Sequence, residues 1–252
     1  MQRPEFKRFT ETEIERLFQN ARAKEELSFL FATLGIDSGE QDAGWQPIQE
    51  THALATDLIG LINSPLHDGA KIRLALLLYC HITEANFIYH CLYNMLLTVD
   101  GQQPKVFNFL DKYRKGIPPS FSTKINELRS LADKLTFNGL SRIFDEIVRT
   151  NIRNAFFHSD YILFDRQLRL KHRGSEYACI PFEDVMELLS KALDFFNSFM
   201  SLRMKALRSF PKGYRITGRK RPGWGALASV DVIVDDDGVA SGFSTSDPSP
   251  LW

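Results

Sequence analysis

Apolar residues recur at helical spacing through most of the chain, and this periodicity limits the fold more than any other feature. Leu140, Ile143, Phe144, Ile147, Val148, Ile152, Ala155 and Phe156 fall on one stripe. Val185, Leu188, Leu189, Ala192, Phe195, Phe196, Phe199 and Leu202 fall on another. A residue advances about 100° around an α-helix, so such stripes form one face that must be buried against a second element. Residues 69–98 are apolar over more than one face, as the central helix of a bundle should be. Further helices are predicted over residues 10–34, 48–62 and 122–136. Thr10 with Glu13 forms a capping-box pattern, Gly35 stands where a left-handed C-terminal cap belongs, and Asn63-Ser64-Pro65 ends the second helix. Residues 99–119 contain Gly-Gln-Gln-Pro and Gly-Ile-Pro-Pro and read as a connection.

The period changes after residue 160. Residues 161–165, 168–171 and 177–181 read as short β runs, enough for a small β-hairpin insert. Near the end the charge separates. Residues 203–221 hold eight basic side chains and no acidic one, whereas residues 222–252 hold five Asp and no basic one. Residues 229–234 and 239–243 flank an Asp-Asp-Asp-Gly turn and can pair as a hairpin. The expected fold class is mainly α: a helical bundle with a small β-hairpin insert and a short C-terminal appendage able to form β structure. The expected division is an N-terminal helical extension (1–68), a helical domain (69–210) and a basic-then-acidic tail (211–252).

Composition removes several function classes. The chain has 252 residues, of which 44% are apolar and 25% charged, so a normal core is available. Lys plus Arg and Asp plus Glu are both 31, so only local charge is informative. Cys80, Cys91 and Cys179 cannot all pair and lie at no ligand spacing, which argues against a disulfide scaffold or zinc ribbon and for a reducing, cytoplasmic setting. The first residues lack the apolar segment of a secretory signal. Residues 72–97 are interrupted by Arg73, His81, Glu84 and His90, whereas a membrane span needs about 20 nearly uncharged residues. His81 and His90 lie on opposite helix faces, and Cys80 and Cys91 are ~16 Å apart along one face. No metal site and no cofactor are expected. No Walker loop, dinucleotide-binding glycine pattern or Gly-x-Ser-x-Gly elbow occurs.

The informative segment is Asn151-Ile152-Arg153-Asn154-Ala155-Phe156-Phe157-His158-Ser159. Asn151, Asn154 and His158 line up on a helix beside the apolar stripe through Ile152 and Phe156. Arg153 lies off that line, but its long side chain can bring a guanidinium toward the same pocket. An amide, an imidazole and a guanidinium beside a dry surface suit a phosphate: Arg recognises it in a planar, bidentate way, and His can move a proton near neutral pH. The same residues also fit a structural role, with Arg153 in a salt bridge, Asn154 bonded to backbone and His158 satisfied in the core. With 18 Arg and 6 His in the chain, chance supplies about 0.4 Arg-x4-His pairs, and about 0.02 with Asn directly after the Arg. Arg166 and His172 form a decoy Arg-x5-His pair that straddles the predicted hairpin.

Arg153-Asn154-x-x-x-His158 at the end of a bundle helix resembles the motif of the HEPN superfamily, whose active members carry Arg, four to six residues, then His. The resemblance covers about residues 69–207. It implies a metal-independent endoribonuclease in which His158 is the general base on a ribose 2′-OH, Arg153 stabilises the phosphorane and Asn154 orients the phosphate or His158. Products would be a 2′,3′-cyclic phosphate and a 5′-OH, and DNA would be spared. It also implies a homodimer with a composite active site, a toxin–antitoxin or antiphage defence setting, and an antitoxin or regulatory protein as partner.

Glu84 is the fourth candidate. A carboxylate on the stripe Cys80, Glu84, Phe87, Cys91 is costly unless paired, and it could pair with Arg153 or orient His158. Arg203, Lys205, Arg208, Lys212, Arg215, Arg219, Lys220 and Arg221, interleaved with Phe210 and Tyr214, suit an RNA backbone. They also fit a solvated helix end leading into a loop, and the opposite charges of the two tail halves also permit the acidic hairpin to dock on the basic run. Two rivals to the enzyme stand beside it: a non-catalytic RNA- or nucleotide-binding module, and a helical dimerisation scaffold.

Overall fold

Long amphipathic stripes fold here as a mainly helical bundle carrying two small antiparallel sheets. The computed structural model describes residues 1–35, 47–105, 120–171, 177–218 and 228–244. In chain order the elements are α1 (Arg3–Lys24), α2 (Glu26–Leu34), α3 (Pro47–Ile62), α4 (Asp68–Thr83), α5 (Asn86–Val99), α6 (Phe121–Lys134), α7 (Asn138–Ile147), α8 (Thr150–His158), β1 (Tyr161–Phe164), β2 (Gln167–Lys171), β3 (Tyr177–Pro181), α9 (Phe182–Arg208), β4 (Arg215–Gly218), β5 (Ala228–Val234) and β6 (Ala240–Ser244). They group into two compact units. One comprises Met1–Thr10, Gln46–Ala85 and Arg142–Asn197; the other comprises Glu11–Trp45, Asn86–Ser141 and Ser198–Trp252.

In the first unit α3 packs on α4, and α8 packs on both α4 and β2. Its core includes Phe6, Leu76, Tyr79, Ile82, Phe144, Ile147 and Phe195, each 2% exposed or less. The α9 stripe meets the α7 stripe edge to face at Phe144 and Phe195, with ring centroids 5.9 Å apart. Charges brought into this interior are paired. The Lys191 ammonium lies 2.9 Å from Glu146 and 3.0 Å from Glu187. Burial alone would lower its pKa, and the two carboxylates outweigh burial and raise it. Sheet order is β1-β2-β3, with Tyr161 opposite Leu170 and Leu168 opposite Ile180. The two-residue turn between β1 and β2, Asp165-Arg166, has both φ angles positive (50° and 54°), the pattern of a type I′ hairpin turn.

In the second unit α2 packs on α5, α5 on α6, and β4 and β6 on α2. Phe18 meets Phe29 and Phe199 edge to face at 5.8 and 6.1 Å. Sheet order is β4-β5-β6, and Ile216, Val230, Val232 and Ala240 are buried side chains of it. Gly218 is required where β4 crosses α2: a Cβ there would stand 2.6 Å from Leu27 Cβ.

The acidic hairpin forms as expected around its Asp-Asp-Asp-Gly turn. Asp235 accepts from the Asp237 and Val239 amides at 3.0 and 2.8 Å, and Gly238 takes the positive φ (74°). The stops at Gly35, in the left-handed region, and after Ile62 also match expectation.

Several sequence expectations need correction. The first helix starts at Arg3, not at Thr10. Burial of Phe6 extends it backward, Pro4 is tolerated in a first turn, and Thr10 is fully buried inside the helix, not at a cap. The same helix breaks at Glu25, which turns extended (φ −161°) and caps α2 by accepting from the Ser28 amide. The single helix expected over 69–98 is α4 and α5, parted at Glu84 and Ala85; Thr83 bonds back to the Tyr79 carbonyl at 2.9 Å, a competing use of the helical acceptors. The stripe from Leu140 to Phe156 is likewise two helices, α7 and α8. The three β runs read after residue 160 do form, and the hairpin of the first two is extended by the third into a three-stranded meander.

Candidate functional site

The segment that carries the expected chemistry is α8, and its entry is set from a distance. At the break between α7 and α8 the Tyr79 hydroxyl, on α4, donates to the Ile147 carbonyl (2.9 Å) and accepts from the Arg149 amide (2.8 Å). One buried phenol thus satisfies two backbone groups that the interrupted helix leaves open. Burial pushes the Tyr79 hydroxyl well above its ordinary range, the Arg149 amide opposing it. The helix buries Ile152 and Ala155 and turns its polar side outward. It ends at His158, where Ser159 takes the left-handed conformation (φ 57°) and the Asp160 amide returns to the Ala155 carbonyl at 2.9 Å. β1 follows at once.

Arg153 and Glu84 meet. The Arg153 Nε donates to the Glu84 carboxylate, and Nη1 donates to Asn154 Oδ1 at 2.9 Å. Arg153 is 27% exposed and Glu84 33%, so the pair sits at a half-open surface. Glu84 is the C-cap residue of α4, so the helix break brings its carboxylate to the face that α8 covers. The Arg153 guanidinium also lies over the Phe157 ring, 5.0 Å from its centroid. Among the described residues, the hydrogen bonds of the Arg153 guanidinium are made by Nε and Nη1, and Nη2 makes none. A guanidinium held by an acid on one edge and an amide on another, with its remaining nitrogen open, is oriented to take an anion's oxygen.

Neighbouring groups are kept neutral. Burial, reinforced by the Glu84 carboxylate and opposed by Arg153, pushes the Cys80 thiol up to about 12, so it is no nucleophile at neutral pH. Burial lowers the pKa of His81, with Glu84 opposing, and its Nε2 has no partner among the described residues.

The expected line Asn151, Asn154, His158 is divided. Asn154 serves Arg153. Asn151 lines a cavity of about 390 Å³ with Glu146, Arg149, Asp184 and Lys191. His158 is exposed on the last turn, and among the described residues no hydrogen bond or ion pair joins it to Arg153, Asn154 or Glu84. The decoy residue Arg166 spans two carboxylates, Asp68 and Glu183, both at 2.7 Å.

Three members of the basic run are engaged. Arg203 donates to the Thr33 carbonyl at 2.7 Å, Lys205 pairs with Glu15 at 2.7 Å, and Arg215 grips Asp231 through two bonds of 2.7 and 2.9 Å. The last pair lies between β4 and β5, so part of the run expected as a loop is a strand docked on the acidic hairpin. Arg208 and Lys212 are exposed; Arg219, Lys220 and Arg221 lie outside the described residues.

Two contributors escaped the sequence reading. Tyr79 carried a signal in its hydroxyl, which demands a partner when buried in a run of Leu. Phe157 stands off the buried stripe, with half its surface exposed. Among the described residues no three His, Cys, Asp or Glu side chains gather as metal ligands, and no helix is long and apolar enough to cross a membrane. In comparisons with known proteins, no family model, no curated protein and no solved structure matches the chain.

Proposed function

We propose that the chain is a HEPN-like, metal-independent endoribonuclease acting in the cytoplasm. The carrying observation is Arg153, held by Glu84 and Asn154 with one nitrogen open, on a helix that ends in the exposed His158. His158 takes the proton of a ribose 2′-OH, and that oxygen attacks the adjacent phosphorus. The bond from phosphorus to the 5′-oxygen breaks, and the leaving oxygen takes a proton from water. Arg153 offsets the extra charge on the phosphorane, and Glu84 and Asn154 are its positioning residues. The products are a 2′,3′-cyclic phosphate and a 5′-OH, with DNA uncut for want of the attacking group. The resemblance to HEPN proteins adds a homodimer whose two motifs share one cleft, with an antitoxin or regulatory partner in a toxin–antitoxin or antiphage setting; this part is analogy.

One observation favours a second reading. Arg153 and His158 are five residues apart, about 140° around the helix, and no bond joins them. An RNA-binding module without catalysis needs only the Arg153 cluster. Cleavage of mixed tRNA and mRNA in excess EDTA, beside His158→Ala, separates the two. Cyclic-phosphate ends that vanish in the variant establish the enzyme; RNA retention without cleavage by the folded wild type establishes the module.

A further inference from the structure

Two aromatic rings stand out at the surface of the first unit. Among the described residues eight large apolar side chains are strongly exposed, and Phe157 (50%) and Phe164 (58%) are the two aromatic ones among them. The two rings share a second property: each lies against a guanidinium. Arg153 Cζ is 5.0 Å from the Phe157 centroid, and Arg169 Cζ is 4.4 Å from the Phe164 centroid.

Local structure explains why both rings face outward. Phe157 lies one turn beyond Arg153 on α8, so the two share a face, while Ile152 and Ala155 take the buried one. Phe164 and Ile162 alternate with the half-buried Tyr161 and Leu163 on β1, and Arg169 stands opposite Ile162 on β2. The Phe157 ring is held, not loose. Its edge meets Phe156 at 5.9 Å and 65°, and Phe156 in turn stacks toward Tyr161 at 5.8 Å.

A half-exposed ring held by a cation and by the edge contact with Phe156, and next in sequence to His158, matches a nucleotide's chemistry better than a protein's. Protein interfaces are depleted of charge at their apolar centres. A single nucleic-acid strand instead presents phosphates for guanidinium groups and flat π-faces for aromatic rings, in alternation. In an A-form duplex the bases are stacked on one another and their faces are closed to side chains.

We propose that Phe157 is the stacking platform for the unpaired base beside the phosphate that Arg153 holds, so that this ring selects an unpaired strand over a duplex. This inference rests on the proposed engagement of RNA at Arg153 but not on cleavage. Bases of any identity can stack, so the platform selects for unpaired structure and not for sequence.

The test uses the full-length wild type and an uncleavable probe, a fluorescent 2′-O-methyl 12-mer, single-stranded or annealed to its complement, read by anisotropy. Wild type is expected to bind the single strand at least tenfold more tightly than the duplex. Phe157→Ala should weaken single-strand binding by about tenfold, Phe157→Leu nearly as much, and Phe157→Trp should restore it. Duplex binding should not respond. The half-exposed position lets these variants keep the wild-type melting temperature. Equal affinity of Phe157→Ala and wild type overturns the proposal, as does equal binding of strand and duplex. Loss of a dimer on sedimentation, with single-strand affinity per protomer unchanged, assigns the ring to a protein interface and overturns it too. If unmodified RNA survives intact while single-strand binding still depends on Phe157, the platform stands and only the ribonuclease reading fails.

Discussion

The Arg153 cluster and the basic run beginning at Arg203 read alike in the sequence, since both offer cations to phosphate. In the folded chain they differ. Arg153 is oriented by Glu84 and Asn154 and keeps Nη2 open, whereas Arg203, Lys205 and Arg215 are each bound to a carbonyl or carboxylate. A count of basic residues therefore overstates the charge available to a ligand. What matters is the fraction of each cation that the fold has not already engaged, and one half-open arginine can outweigh three paired ones.

The contrast is sharpest in catalysis. Arg153→Ala should lower cleavage about 10²–10³-fold, the cost of removing one donor to a developing charge. Arg153→Lys should recover little, because an ammonium cannot replace a planar fork. Arg215→Ala should leave the rate within twofold. Equal losses at the two positions would erase the distinction.

The clasp that aims α8 can be cut without touching either charged region. Tyr79→Phe leaves the Ile147 carbonyl and the Arg149 amide without their shared partner, at a cost of about 1–3 kcal/mol in urea unfolding. Activity should fall at temperatures where the variant remains folded. Unchanged stability would mean that water replaces the hydroxyl and that the break is set elsewhere.

Salt dependence of RNA binding grades the basic run itself. Arg208→Ala with Lys212→Ala removes two exposed cations and should flatten the log–log salt slope by about two. Lys205→Ala with Arg215→Ala removes two paired ones and should change it by less than one. If both pairs act alike, pairing does not withdraw a cation from RNA.

The smallest effect is also the most diagnostic. Asp231→Asn should release Arg215 and tighten RNA binding a few-fold. Hydrogen bonding from Arg215 holds the Asp231 carboxyl below its ordinary pKa of 3.8, so the pair is intact at any pH above that value and is lost only as pH falls through the depressed pKa. The gain in Asp231→Asn should therefore be constant from pH 5 to 8. A gain confined to acid would point to another titrating group.

The helices over 47–62, 121–134 and 182–208 were legible because stripe and stop signals agree there. The breaks were not. None of the interruptions at Glu25, Glu84 or Val148-Arg149 contains Gly or Pro; the first is made by a capping carboxylate, the second goes with a Thr83 hydroxyl bonded back within its own helix, and the third takes a hydroxyl from another helix. Local spacing exposed Arg153, Asn154 and His158, and the rule that a carboxylate in an apolar helix needs a partner led from Glu84 to Arg153. Phe157 was hidden because a phenylalanine in a helix reads as core until the direction of burial is known. The mutual placement of Arg153 and His158 depends on side-chain torsions that periodicity does not encode.

The Tyr79 clasp bears on how far the motif is portable. The direction in which α8 leaves α7 is specified by an atom 70 positions earlier in the chain than the amide it receives. Grafting residues 150–158 onto another helical scaffold would carry the arginine, the asparagine and the histidine but leave their bearing behind. A designer borrowing this surface would have to transplant the two segments together, as a pair joined by one oxygen.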